Sequence, residues 1–257
     1  MIKIKTAKEI EVMRVGGKIL SEVLSQVVNN IKPGVSEKEL DNLAEKLIVQ
    51  KGGEPGFKKV KNYKNTICVS TNSVVVHGIP TNYKFKEADV VGIDCGVFYK
   101  GLHTDMSETV RVSNSKVKSQ SSKLDEIDKF LDVGKRALDE AIKTARAGNR
   151  VGDISKTIQD IVEKENGYSV VRTLVGHGVG RNLHEEPEVP GFLVGDINKT
   201  PLLREGMTIA IEVIYNMGKS DVELLQDGWT IKTADNSISG VFEKTVAITA
   251  GVPLILT

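Results

Sequence analysis

Four acidic residues stand inside stretches that are otherwise apolar: Asp94 in "VVGIDCGVF", Asp105 in "LHTDMSETV", Glu212 in "MTIAIEVIY" and Glu243 in "GVFEKTVAI". Any one of them could be the outward position of a half-buried strand. All four together are a different matter, because ionised carboxylates converging in a core repel one another and each is costly to desolvate. Two divalent cations would balance the four negative charges. Oxygen donors with an imidazole suit Mn, Fe, Co or Zn in an open catalytic site, not the thiolate cages of structural zinc. The imidazole candidates end apolar runs and precede glycine: His77 in "VVVHGIP" and His177 in "LVGHGVG", with His184 following in "LHEEP". His103, two residues before Asp105, reads as a supporting or surface residue. "GHGVGRN" is not a phosphate loop, since no helix-forming sequence follows it and Pro187 and Pro190 prevent one. Glu185 and Glu186, the most conspicuous acids, are not expected to be ligands.

The elements that must position these residues come in two similar sets. Thr6 predicts a cap for a helix over about 7–30, and Ser36 with Glu39 forms a capping box for a helix to about Gln50. Val35 and Leu40 are spaced for a hydrophobic staple on that second helix. Strand-like runs follow at 66–70, 73–78, 89–99 and 103–112, the last two joined by a turn at "YKGL" that brings Asp94 and Asp105 nearly opposite each other. The pattern then restarts. Helical periodicity covers about 122–147, and Asp153 predicts the cap of a helix over about 154–165. Strand-like runs return at 169–175, 207–214, 221–226 and 237–249. Gly34 and Gly53 bracket one helix at a separation of 19, and Gly148 and Gly167 bracket another at the same separation. This internal echo predicts α+β halves, about 5–112 and 122–250, related by a pseudo-twofold within one catalytic domain. The stretch 113–124 reads as the solvated loop between them.

Bulk properties exclude several classes. The net charge of +1 gives no global case for a nucleic-acid or membrane partner, and no run approaches the ~20 apolar residues of a membrane span. Cys68 and Cys95 are too few for a disulfide framework or a zinc cage. The first twenty residues have no signal-peptide core, so the cytoplasm is the expected compartment. The most basic run, "FKKVKNYKN", carries Lys58, Lys59, Lys61 and Lys64 and reads as a solvated loop before it reads as a polyanion-docking patch.

The set "HGIP", "IDCGVFYKGLHTDMSET", "GHGVGRNLHEEP", "IAIEV" and "GVFEKT" resembles the type I methionine aminopeptidases of peptidase family M24, from about residue 5 to 250 and in the family's order. The resemblance implies the pita-bread fold: pseudo-twofold halves, a central curved antiparallel sheet and helices outside. It implies two divalent ions (Co, Mn, Fe or Zn) held by Asp94, Asp105, His177, Glu212 and Glu243. It implies that His77 and His184 line the substrate path, and that Phe57, Tyr63, Cys68 and Trp229 line the methionine pocket. Two positions depart from the pattern: Leu183 where an aromatic residue is common before "HEEP", and Lys244 where His often follows the last acid. They bear on pocket shape, not on the ligand set.

The reaction this implies is hydrolysis of the first peptide bond of nascent proteins, with Glu212 moving the proton and His77 and His184 bonding the scissile amide. The partner is the N-terminal methionine of nascent chains. A monomer is expected, and docking near the ribosomal exit tunnel has only the lysine run to support it. One alternative is an Xaa-Pro dipeptidase of the same fold, against which "HGIP" speaks. Another is a non-catalytic ribosome-binding relative, which would lose ligands that are all present here.

Overall fold

The computed structural model describes residues 2–113 and 122–257. Most of the expected inter-half loop at 113–124 lies outside the described residues. Helix α1 (Ala7–Asn29) starts at Thr6, whose hydroxyl accepts from the Glu9 amide while the Glu9 carboxylate accepts from the Thr6 amide. Helix α2 (Glu37–Gln50) starts the same way at Ser36 and Glu39. In the second set, α3 covers Ser122–Thr144 and α4 covers Val151–Gln159. Asp153 is not the cap residue of α4. It sits inside the first turn, and its carboxylate accepts from the Arg150 amide at 2.7 Å, so the helix begins three residues earlier than expected.

The strands are β1 (Glu54–Pro55), β2 (Ile67–Thr71), β3 (Val74–Val76), β4 (Val90–Tyr99), β5 (Leu102–Arg111), β6 (Ser169–Val170), β7 (Gly176–Gly178), β8 (Glu185–Val189), β9 (Thr208–Asn216), β10 (Val222–Leu224), β11 (Ile231–Thr233), β12 (Ser239–Ala247) and β13 (Leu254–Ile255). Ten of them form one sheet with the central order β4-β5-β12-β9, all antiparallel. A smaller sheet, β10-β11-β3, lies beside it. Of the run expected at 169–175 only Ser169–Val170 is strand, and β7 begins just after the run, on a separate stretch of β9.

Two apolar cores pack between the helices and the sheet. Leu20, Leu24, Leu40 and Ile48 of α1 and α2 bury against Val91, Ile93, Cys95 and Val97 of β4. Phe130, Leu138, Ile154 and Ile158 of α3 and α4 bury against Ile209, Ile211, Val213 and Tyr215 of β9 and against Phe242 and Val246 of β12. Because side chains alternate across a strand, the helices cover one face of the sheet, and Asp94, Asp105, Glu212 and Glu243 fall on the other. The residues before α2 and α4 echo one another. Ser36 bridges Lys84 and Arg150 bridges Leu202, and Gly34 and Gly148 have φ of 91° and 93°. At the far end the match shifts by one residue: Gly52, not Gly53, has the positive φ that Gly167 shows. The cause is a π-helical turn at Asp160–Lys164, which adds one residue to the second copy.

Candidate metal centre and active site

Register assembles the acidic residues. Reading across the large sheet, Cys68 pairs with Asp94, Asp94 with Ser107, Ser107 with Glu243, and Glu243 with Glu212. Asp105 is opposite Gly96, so it lies diagonal to Asp94 on the same face, not directly opposite as its sequence position suggested. The diagonal still brings the two carboxyls close enough to interact, and burial and the charge on Asp94 both raise Asp105. The turn that sets this register has Lys100 at φ 46° and Gly101 at φ 89°, the left-handed pair of a tight two-residue hairpin. His177 pairs with Ala210, two residues from Glu212 and on the same face.

The glycines around His177 serve close approach. A Cβ at Gly176 would stand 2.5 Å from the Ala210 carbonyl oxygen, and one at Gly178 2.2 Å from that of Glu186. The His177 Nδ1–H donates to the Gly178 carbonyl at 2.9 Å, which leaves Nε2 with its lone pair toward the acids, 3.3 Å from Glu212 and 4.0 Å from Asp105. Glu185 is turned away: it is held by Lys5 at 2.7 Å and Lys3 at 3.2 Å.

The electrostatics are those of a site short of positive charge. Burial pushes Asp94 up to about 7 and moves Asp105, Glu212 and Glu243 upward as well, each reinforced by its acidic neighbours. Burial also drives His177 down to about 3 and His77 to about 4. Among the described residues none of the four acids has a Lys or Arg within ion-pair distance. Asp94 Oδ1 and Glu243 Oε1 are buried without a hydrogen-bond partner, and donor atoms of Asp105, His177 and Glu243 lie within 4.8 Å of one another. Lone pairs with no donors, aimed at a common point, fit divalent cations.

All the candidate residues line one cavity: Asp94, Asp105, His177, Glu212 and Glu243 on its floor, with Phe57, Tyr63, Cys68, His77, His184 and Trp229 around them. Tyr63 lies edge-on to Phe57 at 6.2 Å and to Trp229 at 5.0 Å. The Tyr63 hydroxyl donates to the Ile67 carbonyl at 2.9 Å and lies 3.1 Å from Cys68 Sγ, so it is already engaged. His77 has φ 57°, a costly conformation for a non-glycine residue, and the adjacent Gly78 leaves no room for a Cβ beside the Val69 carbonyl. The His177 and His184 rings meet at 4.3 Å.

Sequence reasoning passed over several residues. Val60 also lines the cavity, as does Leu183, the position singled out for its bearing on pocket shape. Ser107 is buried among the acids with an unpartnered hydroxyl; its alternation with Asp105 along β5 was the available signal. Thr245 holds the Asp105 backbone, its hydroxyl accepting from the Asp105 amide at 2.9 Å and donating to the Asp105 carbonyl at 2.8 Å. His103 is not a surface residue, being 5% exposed. In the lysine run, Lys58 pairs with Glu45 at 2.6 Å and Lys59 with Glu54 at 2.9 Å, which halves the charge available for docking.

A family model described as metallopeptidase family M24 matches residues 11–250. The chain is 42% identical over 257 residues to a methionine aminopeptidase of Clostridium perfringens, a match spanning all of this chain and 99% of that one. It superposes on a methionine aminopeptidase structure from Thermotoga maritima with a TM-score of 0.93 at 38% identity, covering 100% of this chain and 99% of the other. A prolidase from Pyrococcus horikoshii superposes with a TM-score of 0.76 at 24% identity over 63% of its length, a likeness of fold.

Proposed function

The chain belongs to metallopeptidase family M24 and has the pita-bread fold, and from that premise we propose that it removes the N-terminal methionine of polypeptides by metal-dependent hydrolysis of the first peptide bond. The observation that carries the reading is the cavity itself: converging carboxylates and the His177 lone pair at its floor, apolar and aromatic side chains on its wall. Asp94, Asp105, His177, Glu212 and Glu243 would hold two divalent ions, of Co, Mn, Fe or Zn. Such ions, when bound, supply Lewis-acid polarisation of the peptide carbonyl and acidify the attacking water.

The chain's own residues do the rest. Glu212, on the cavity floor with its side chain 14% exposed, accepts the water's proton and returns it to the leaving amine. His77 and His184, on the wall above the acids, hydrogen-bond the scissile amide and the oxygen that becomes charged. Phe57, Tyr63, Cys68 and Trp229 receive the first side chain. With the Tyr63 hydroxyl already engaged and burial keeping the Cys68 sulfur a thiol, that wall favours an unbranched thioether over a polar side chain.

The reading includes a cytoplasmic monomer acting on nascent chains. Ribosome docking enters it only through Lys61 and Lys64, the lysines of the run not engaged by Glu45 or Glu54. No helix among the described residues is long and apolar enough to cross a membrane. The test is a substrate panel with metal-loaded protein. Free methionine should be released from Met-Ala-Ser, with neither N-acetyl-Met-Ala-Ser nor an Xaa-Pro dipeptide cleaved. Preference for the Xaa-Pro dipeptide would replace this reading with a prolidase one.

A further inference from the structure

The cavity does not end at His184. A second cleft adjoins it, walled by Lys59, Val60, His103, Asn182, Leu183 and His184, and shares Val60, Leu183 and His184 with the first. Its wall contains a group that the chemistry above leaves unused. His103 is 5% exposed, and its Nδ1 is fully buried with no hydrogen-bond partner. The ring is fixed on two sides: it packs on Phe98 at 4.7 Å, and its backbone amide donates to the Gly180 carbonyl at 2.7 Å. Lys59 lies over the same Phe98 ring at 4.2 Å, so ammonium and imidazole both pack on one phenyl beside the cleft. His103 lines the cleft, and with Nδ1 sealed in, a hydrogen bond from this ring to a ligand there would have to run through Nε2.

We propose that this cleft binds the substrate chain beyond the scissile bond, with His103 hydrogen-bonding the backbone around the third residue and Lys59 favouring an acidic side chain there. The inference rests on the aminopeptidase reading. A peptide with its first side chain in the inner cavity must pass His184 to leave. An extended chain advances about 3.3–3.6 Å per residue, so the third residue stands about 7 Å past the first, which is the neighbouring cleft. Lys59 is the one ionised side chain among the cleft's lining residues, and no carboxylate lines it. Its pairing with Glu54 at 2.9 Å and its exposure make the preference modest, about threefold to tenfold.

The test compares kcat/KM for Met-Ala-amide and Met-Ala-Ser-amide in metal-loaded wild type and His103→Phe, which keeps the packing on Phe98 and removes the polar atom. Wild type should gain about tenfold on adding the third residue, and the variant should lose most of that gain, the worth of one or two hydrogen bonds. An equal loss on both peptides would mean that His103 acts through the neighbouring Asp105, and an undiminished gain would mean that it binds nothing; either overturns the subsite. Lys59→Glu, an exposed change that spares the fold, should invert the wild-type preference for Met-Ala-Asp-amide over Met-Ala-Lys-amide, and an unchanged ratio also overturns the proposal. Failure of wild type to cleave even Met-Ala-amide would be a different result, sinking the aminopeptidase reading and this subsite with it.

Discussion

At the scale of single residues, the acids and the imidazoles are expected to separate by what they do. Glu212→Ala and Asp105→Ala should abolish turnover of Met-Ala-Ser and lower bound metal, because each removes a carboxylate facing the cavity. His184→Ala should leave metal content intact while kcat/KM falls by about tenfold or more, the usual effect of removing a donor to developing charge. Metal analysis of the purified variant decides this: metal loss in His184→Ala would make it a ligand. The pH dependence has a definite sign. Asp94 is pushed up to about 7 by burial, and its acidic neighbours are raised too. A carboxyl with a raised folded pKa contributes stability that is full below its unfolded value, about 4, and is lost as pH rises through the folded one. EDTA-treated protein should therefore lose stability as pH climbs from about 4 through about 7, and divalent cations should restore it. The rise in Tm on adding Mn²⁺ should be larger at about pH 7.5 than at about pH 5.5. An equal rise at both would contradict the assignment.

At the scale of elements, the strand after the last acid does more than complete the sheet. β13 runs along β12, and beyond it the Thr257 hydroxyl accepts from the Thr245 amide at 2.9 Å, just where Thr245 clamps the Asp105 backbone. Thr245→Val removes both bonds to Asp105 at nearly constant volume. It should weaken metal binding by about fivefold to tenfold, worth about 1 kcal/mol, with Thr245→Ser restoring most of it. Calorimetric titration with Mn²⁺ reads this directly, and equal affinities in all three proteins would refute the clamp. Helix α1 closes over the same segment. A Cβ at Gly17 would stand 2.0 Å from the Leu256 carbonyl oxygen, a backbone atom that cannot rotate aside. Gly17→Ala should therefore destabilise by about 1–3 kcal/mol although alanine is the better helix former. Denaturant unfolding would show the opposite sign if the helix were free to shift.

At the scale of the whole molecule, the sequence carried the faces of the strands but not their alignment. A lone acid inside each of the apolar runs 89–99, 207–214 and 237–249 marks the face turned away from the helices, and in the structure that face is largely buried as well. The offset that makes Asp105 diagonal to Asp94 depends on turn geometry at Lys100 and Gly101, which residue spacing does not reveal. The repeat was legible from glycines at equal spacing, yet the extra residue of the π-helical turn at Asp160–Lys164 moved the true counterpart from Gly53 to Gly52. Ser107 and Val60 were missed, and His103 was read only as a supporting or surface residue, because their importance comes from the neighbours that folding brings, not from their own type or spacing. The symmetric strand order β4-β5-β12-β9 lets each half give a pair of acids to one floor.

That shared floor is what makes the account testable in one measurement: free methionine released from Met-Ala-Ser by EDTA-stripped protein as a divalent cation is titrated back. The account predicts no release in EDTA, and release that climbs with added Mn²⁺ or Co²⁺ and saturates near about two equivalents per chain. It predicts none at any concentration for Asp105→Ala. Methionine release that persists in EDTA, or that no divalent cation restores, would contradict it.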